Sequence, residues 1–328
     1  MALFTRRRAR EESLAFFFAS DIHGSELCWR KFVKATEFYR ADLLILGGDF
    51  TGKLVIPIVD DGSGTYRARY LEKDHELTAA NVREFEQRVA NQGFYPTRVD
   101  PDRYTALEAD RGEVDRLFEE LIKERLIDWI AYAKDQLAGS GVRILTAPAN
   151  DDPFSIDPLI EERGGGVFVN VEDEIIEIAH GHEMISTGWT NPTPWNTPRE
   201  FPEDAIYAHV AAMADRIENV DTAIFNLHPP PFDSSIDSAP LLSADLEVQT
   251  AAGAPVMMPV GSTAVRRIID EYQPLLSLHG HIHESGGAVK LGRTLAINPG
   301  SEYGEGVLRG ALVRIGGGRI HTHQATSG

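Results

Sequence analysis

Leu14-Ala15-Phe16-Phe17-Phe18-Ala19-Ser20-Asp21-Ile22-His23 joins an apolar run to an aspartate and a histidine one residue apart. A charge-free run of this length predicts a strand buried on both faces. A carboxylate oxygen and an imidazole nitrogen just past it predict chemistry there, because α/β proteins bind ligands outside the carboxyl ends of their strands. The junction recurs. Leu43–Leu46 leads into Gly47-Gly48-Asp49, and Val142–Leu145 into Asn150-Asp151-Asp152. Ala223–Leu227 ends at His228, and Leu275–Leu278 leads into His279-Gly280-His281-Ile282-His283. These strand ends predict a single cluster of carboxylate, amide and imidazole, which is the composition of a two-metal site.

Two divalent ions a few ångströms apart need mixed oxygen and nitrogen ligands and a shared carboxylate. Asp49 can bridge, Asn150 offers an amide oxygen, and His228, His281 and His283 offer nitrogens. Imidazole with carboxylate suits Mn, Fe, Zn, Co or Ni, with availability deciding among them more than affinity.

The ordered set Asp21-x-His23, Gly48-Asp49, Asn150-x-Asp152, His228 and Gly280-His281-x-His283 resembles the calcineurin-like metallophosphoesterase superfamily. Asn298-Pro299-Gly300-Ser301 matches a further hallmark of its small prokaryotic members. The runs His228-Pro229-Pro230-Pro231, Val260-Gly261-Ser262 and Gly280-His281-Ile282-His283-Glu284-Ser285 look like the prokaryotic branch related to cyclic-nucleotide phosphodiesterases. The resemblance implies an α/β (α+β) fold: a four-layer α-β-β-α sandwich of two mixed sheets flanked by helices, with the metals at the C-terminal ends of the strands. It implies that Asp21, His23 and His283 hold one divalent ion, that Asn150, His228 and His281 hold a second, and that Asp49 bridges them. It implies hydrolysis of a small phosphodiester or phosphomonoester by a metal-bridging hydroxide. The alternative is a metal-binding scaffold or regulatory protein of the same fold with little turnover.

The chain departs from the pattern at one place. Many strongly catalytic members carry a histidine after the motif-three asparagine; here Asp151 stands there, and Ala149 replaces the usual glycine. An aspartate beside two dications stays ionised, so it is a poor acid and repels phosphate. Either another group serves the leaving oxygen, or good leaving groups are preferred, or turnover is slow.

Around this core, the other residues take simpler expectations. His279 is a candidate for contact with substrate or with a ligand. Arg199 and Trp195, in the proline-rich loop from Gly188 to Pro202, are candidates to wall the substrate pocket, Arg199 by bidentate contact with a phosphate oxygen. Asp152 orients a ligand or caps a helix. The second His-x-His, His180 and His182, reads as structural, His321 and His323 as solvated, and His75 as part of an insertion.

The chain has 328 residues, 50 acidic against 32 basic, for a formal net charge of −18. Such a surface repels polyphosphate backbones and disfavours nucleic acid; the expected partner is a small phosphorylated molecule. The basic run Arg6-Arg7-Arg8-Ala9-Arg10 reads as a solvated tail. With Cys28 as the only cysteine, no internal disulfide is possible, which suits a reducing compartment. No stretch approaches a membrane span, and Leu14–Ala19 is short for a signal-peptide core. The protein reads as cytoplasmic, with no membrane partner.

Residues 1–328 read as one domain with an insertion at about 53–110: a hairpin around Asp60-Asp61-Gly62-Ser63-Gly64, then a helix opened by Thr78 with Val82, Phe85 and Val89 on one face. The insertion reads as a cap, a lid or a homo-oligomer contact. Further helices are predicted over Ser25–Tyr39 (Leu27, Phe32, Val33 and Phe38 inward), over Glu113–Leu137 (Val114, Leu117, Leu121, Ile122, Ile127 and Ile130 inward), over Glu203–Glu218, and after a cap at Ser262 or Thr263. Two short strands are predicted over residues 164 to 188 and a strand, turn and strand over Thr294–Ile315.

Overall fold

The computed structural model describes residues 13–179, 181–243 and 245–328; the basic run Arg6–Arg10 and His180 lie outside them. Two six-stranded mixed sheets form the centre. The first has the order Arg319–Ser327, Arg309–Gly316, Leu14–Ala19, Leu43–Leu46, Ile144–Thr146, Phe168–Asn170. The second has the order Gly287–Leu291, Thr294–Asn298, Leu276–Leu278, Ile224–Leu227, His182–Thr187, Ile175–Ala179. The strands that precede the candidate ligands pair in parallel within each sheet. Parallel pairing sends their carboxyl ends to the same side, which is what gathers the ligands.

Side chains alternate across a strand, and the first strand shows the result. Phe16 and Phe18 pack between the sheets with Leu43, Ile45, Met184, Ile224, Leu276 and Leu278. Phe17 and Ala19 face outward onto Trp29, Phe32 and Ile130. All three phenylalanines are fully buried, worth roughly 1.5–3 kcal/mol each against exposure. Helices Glu26–Tyr39, Arg111–Gln136 and Asp157–Arg163 cover the first sheet, and Glu203–Ala214 and Thr263–Tyr272 cover the second. The layers are therefore α-β-β-α. No helix among the described residues is long and apolar enough to cross a membrane.

Several local expectations need correction. In the first helix Phe38 faces solvent, 80 % exposed, and the buried face is Cys28, Trp29, Phe32, Val33 and Ala35. In the long helix Ile127 is 37 % exposed, and the buried face is Ile122, Leu126, Trp129, Ile130 and Ala133. Both predicted stripes took in a large apolar residue off the buried face. Ser262, not Thr263, caps the last helix, accepting from Val265 N at 3.1 Å. The helix at Glu203 stops at Ala214 rather than Glu218. The region 164–188 holds three strands, and Gly287–Leu291 and Arg319–Ser327 add edge strands that were not foreseen.

The segment read as an insertion is richer than a hairpin and a helix. Val55–Asp60, Thr65–Tyr70, Lys73–Thr78 and Tyr95–Val99 form a four-stranded sheet, with helices Val82–Asn91 and Pro101–Ala109 beside it. Thr78 ends a strand; Asn81 precedes the helix. Lys73–Thr78 buries only Leu77, so it has no period-2 apolar pattern to see. Its apolar cluster, Ile56, Ile58, Ala68, Tyr70, Leu77, Val82, Phe85 and Val89, is separate from those of the two main sheets.

Candidate metal centre

The loops past the strand ends continue the parallel pairing. Asp21 N donates to Gly48 O at 3.0 Å and His23 N to Asp49 O at 3.0 Å. His228 N donates to Thr187 O at 3.1 Å, and Gly280 N to His228 O at 2.9 Å. This ladder places Asp21, His23, Asp49, His228 and His281 around one space. Asp21, His23, Asp49, Asn150 and His228 are each at most 3 % exposed.

The backbone is strained where the ligands stand. Asp21, His23, Asp49 and His281 all have positive φ, at 56°, 38°, 51° and 67°. A non-glycine residue in that region costs about 1–3 kcal/mol, and such strain clusters at functional sites. Gly48 and Gly280 permit the close approach. Gly48 has φ +107°, and a Cβ there would stand 2.3 Å from Ala149 Cβ; a Cβ on Gly280 would stand 2.2 Å from Asp21 Oδ2.

Two groups of side chains have ligand atoms mutually within 4.8 Å: Asp21 with His23 and His283, and Asp49 with His228 and His281. A third, His23 with Asp49 and Asp151, overlaps them. Within the second group His228 Nε2 lies 3.3 Å from Asp49 Oδ2, and across to the first it lies 3.8 Å from Asp21 Oδ1. His283 Nε2 lies 3.4 Å from Asp21 Oδ1. The surroundings orient these ligands. His228 Nδ1 is held by Gly47 O at 2.9 Å, which turns Nε2 into the site, the usual arrangement for an imidazole ligand. His281 N donates to both Asp21 oxygens at 3.0 Å, and Ser301 Oγ donates to Asp21 O at 2.6 Å.

The donor set fits divalent ions on an internal observation. His228 Nε2 and His23 Nδ1 are buried without a hydrogen-bond partner, and His23 Nε2 faces His283 Nε2 at 3.0 Å. Buried nitrogens left so are costly; a cation among them supplies the missing partner. The protonation states agree. Burial disfavours charge on Asp21 and Asp49, yet the surrounding histidines, His228 foremost, hold both well below the usual carboxylate range. Burial opposes charge on His228 too, but Asp49 and Asp21 push it up to about 10. Burial lowers His281 to about 4 and keeps His23 neutral. Burial opposes charge on His283, but its contact with Asp21 raises it. The cage thus holds two carboxylates, neutral His23 and His281, and a proton on His228 that a cation would displace.

Asn150 is buried and reaches the cage through Asp151. Its Nδ2 donates to Asp151 Oδ1 and to Thr197 Oγ1, each at 3.1 Å, and Thr190 Oγ1 donates to its Oδ1 at 3.3 Å. Asp151 N donates to Asp49 Oδ1 at 2.9 Å, and the Asp151 carboxylate pairs with Lys53 Nζ at 2.8 Å. Burial and Asp49 push Asp151 above the usual range while Lys53 pulls it back. Asp152 is fully buried and accepts from Phe50 N, Thr51 N and Ala149 N; it ties the loop after Asp49 to the loop carrying Asn150 and caps no helix.

Two expectations change here. His279 is fully buried and turned away from the cage, with Nδ1 on Leu227 O and Pro229 O at 2.8 and 3.0 Å and Nε2 on Ser277 Oγ. It pins the His228 loop instead of meeting substrate. Arg199 is 2 % exposed; its Nε donates to Asp152 O at 3.0 Å, its Nη2 pairs with Asp157 at 2.6 Å, and its guanidinium lies over the Phe154 ring. A guanidinium so committed is a strut beneath the Asn150 loop rather than a phosphate ligand. Trp195, 62 % exposed, stays available at the loop surface, its backbone N–H on Thr193 Oγ1.

Other residues join the site that sequence did not single out. Lys53 follows Asp49 by four positions but read as the start of an insertion without chemistry. The Tyr303 ring lies 4.7 Å from the His23 ring and 5.9 Å from that of His283. Glu172 holds Thr187 Oγ1 at 2.9 Å and Gly188 N at 2.7 Å, at the root of the loop carrying Thr190. Other histidines among the described residues stand apart: His182 is buried with Nδ1 on Thr222 O at 2.7 Å, His209 pairs with Asp173, His75 is on the sheet of residues 55–99, and His321 and His323 are exposed on the last strand.

Glu172 gives a pH-dependent prediction. Burial, with Asp173 adding to it, raises Glu172 from 4.5 to about 8. A raised carboxyl contributes stability that is full below pH 4.5 and is lost as pH rises through about 8. Glu172→Gln therefore gains stability relative to the parent between pH 5 and 8, measured as the difference in unfolding free energy at each pH. A difference constant across that range contradicts it.

No protein-family model matches the chain. Over 160 residues it is 26 % identical to an uncharacterised protein of Methanocaldococcus jannaschii, covering 48 % of this chain and 64 % of that protein. The match thus spans less than two thirds of the relative's length. Two crystal structures share the fold over nearly all of the chain. One superposes with a TM-score of 0.54 at 14 % identity, covering 96 % of this chain and 98 % of its own. The other, from Thermus thermophilus, superposes with a TM-score of 0.51 at 12 % identity, also covering 96 % and 98 %. At such identities the likeness is one of fold.

Proposed function

We propose that this chain is a dinuclear metal-dependent phosphoesterase of the calcineurin-like kind, hydrolysing a small phosphodiester or phosphomonoester. The observation that carries this is the adjacency of two Asp/His groups, Asp21 with His23 and His283 and Asp49 with His228 and His281, around buried nitrogens that no hydrogen bond satisfies. Asp21, His23 and His283 would hold one ion, and Asn150, His228 and His281 the other, with Asp49 shared. Bound there, such a pair supplies an activated water and neutralises charge developing in an in-line displacement at phosphorus.

The chain's own groups do the rest. Gly47 O fixes the His228 ring so that Nε2 faces inward. The two bonds from His281 N hold the Asp21 carboxylate in one orientation. Thr190 and Thr197 orient the Asn150 amide. Trp195, exposed on the same loop, offers a flat apolar face to a substrate group, and the net charge of −18 favours a small substrate over nucleic acid.

Purified protein dialysed against Mn2+ or Zn2+ should carry close to two ions per chain by elemental analysis. The loaded protein should hydrolyse p-nitrophenyl phosphate or bis-p-nitrophenyl phosphate, and a chelator should remove that activity. Finding no bound metal after supplementation would overturn the proposal. A screen across phosphomonoesters, cyclic nucleotides, dinucleotides and phospholipid head groups identifies the substrate.

A further inference from the structure

Asp151 is the residue at which the motifs depart from their usual pattern, and its surroundings are specific. Its backbone N–H is on Asp49, one carboxylate oxygen takes the Asn150 amide, and the other takes Lys53 Nζ at 2.8 Å. That second oxygen also lies 3.7 Å from His23 Nδ1. Among the described residues, Lys53 is the one lysine or arginine that forms an ion pair with a side chain of the three ligand groups. Arg199, the other basic candidate, is buried on Asp157.

An ionised Asp151 alone would repel an incoming phosphate. Paired with Lys53 it is neutralised, and the ammonium is left at the rim with 42 % of its side chain exposed. An ammonium has three N–H donors and no acceptor. One donor goes to Asp151, which leaves others for a substrate oxygen. Stability alone does not account for the open ammonium end: the Asp151 side chain is 20 % exposed and the lysine's 42 %, and an exposed charge adds little to stability.

We propose that Lys53 is the side chain that binds a non-bridging phosphoryl oxygen of the substrate, with Asp151 as the tether that aims it. This rests on the phosphoesterase proposal above and names the residue that recognises the phosphate. Asp151 thereby acts as a positioning residue through Lys53, in the place where a histidine would act directly.

The test uses the full chain loaded with Mn2+ and inorganic phosphate as the probe. Lys53→Met should bind phosphate about 10–100-fold more weakly by calorimetry, the range for losing a charge-assisted hydrogen bond. Its manganese content and melting temperature should match the parent. Its kcat/KM for p-nitrophenyl esters should fall by a similar factor, and Lys53→Arg should recover most of both. Asp151→Asn should lose part of the affinity with Lys53 intact. Phosphate affinity of Lys53→Met within twofold of the parent overturns the proposal. So does a loss of manganese that accounts for the lost affinity, and so does a loaded parent that binds no phosphate. If the loaded parent hydrolyses no ester, the phosphoesterase proposal fails by itself, and the phosphate-affinity comparison still decides the role of Lys53.

Discussion

Asp49→Asn should leave a folded protein whose hydrolysis of bis-p-nitrophenyl phosphate is lower by about a thousandfold, the order reached when a preorganised electrostatic partner is removed. The change is nearly isosteric. The Asn oxygen can still accept from Asp151 N, which stands 2.9 Å from Asp49 Oδ1. What disappears is the charge. Asp49 Oδ2 faces His228 Nε2 at 3.3 Å and is the foremost reason that His228 is pushed up to about 10. Before an ion binds, an asparagine amide turned to that side would oppose a donor with a donor. It would also remove the anionic oxygen that two cations can share. Elemental analysis should find fewer ions per chain together with the lost rate. Wild-type rates in this variant would show that Asp49 does not bridge, and the ligand assignment would have to be redrawn.

Asp152→Ala should lower the melting temperature by roughly 4 °C, and the metal content with it. Asp152 accepts from Thr51 N and Ala149 N at 2.9 Å each and from Phe50 N at 3.2 Å, all in the interior. Each buried N–H left without an acceptor costs about 1–3 kcal/mol. Part of that is returned, because burial and then Asp49 raise Asp152 to about 7, so its charge is itself disfavoured in the fold. A net loss of about 3 kcal/mol gives the stated shift for a chain of this size. Asp152→Asn, which keeps one acceptor oxygen, should fall between the two. A melting temperature within about 2 °C of the parent would show that the two loops hold together without this carboxylate.

Some of this was legible in the chain and some was not, for reasons visible in particular residues. The junction at Leu14–Ala19 and Asp21-Ile22-His23 is local. Burial on both faces demands an unbroken apolar run, and parallel pairing demands that the chain leave the sheet at its carboxyl end, so the residues next in sequence are the ones at the site. The same logic covers Gly48-Asp49, His228 and Gly280-His281. It fails for Lys73–Thr78, where one buried leucine leaves no pattern, and for Phe38 and Ile127, where residue type alone does not tell which face of a helix is covered.

Composition and local pattern determined the alternating elements, the two-sided burial of the central strands and the residues at their ends. Only the tertiary structure decided the partners of the polar side chains. It spent Arg199 on Asp157 and the Asp152 carbonyl, turned His279 onto backbone oxygens, and brought Lys53 from the start of the insertion to Asp151. Hydrophobic periodicity is written in neighbours along the chain, whereas a charge takes whichever opposite group lies within a few ångströms. Those neighbours in space exist only once the sheets have packed.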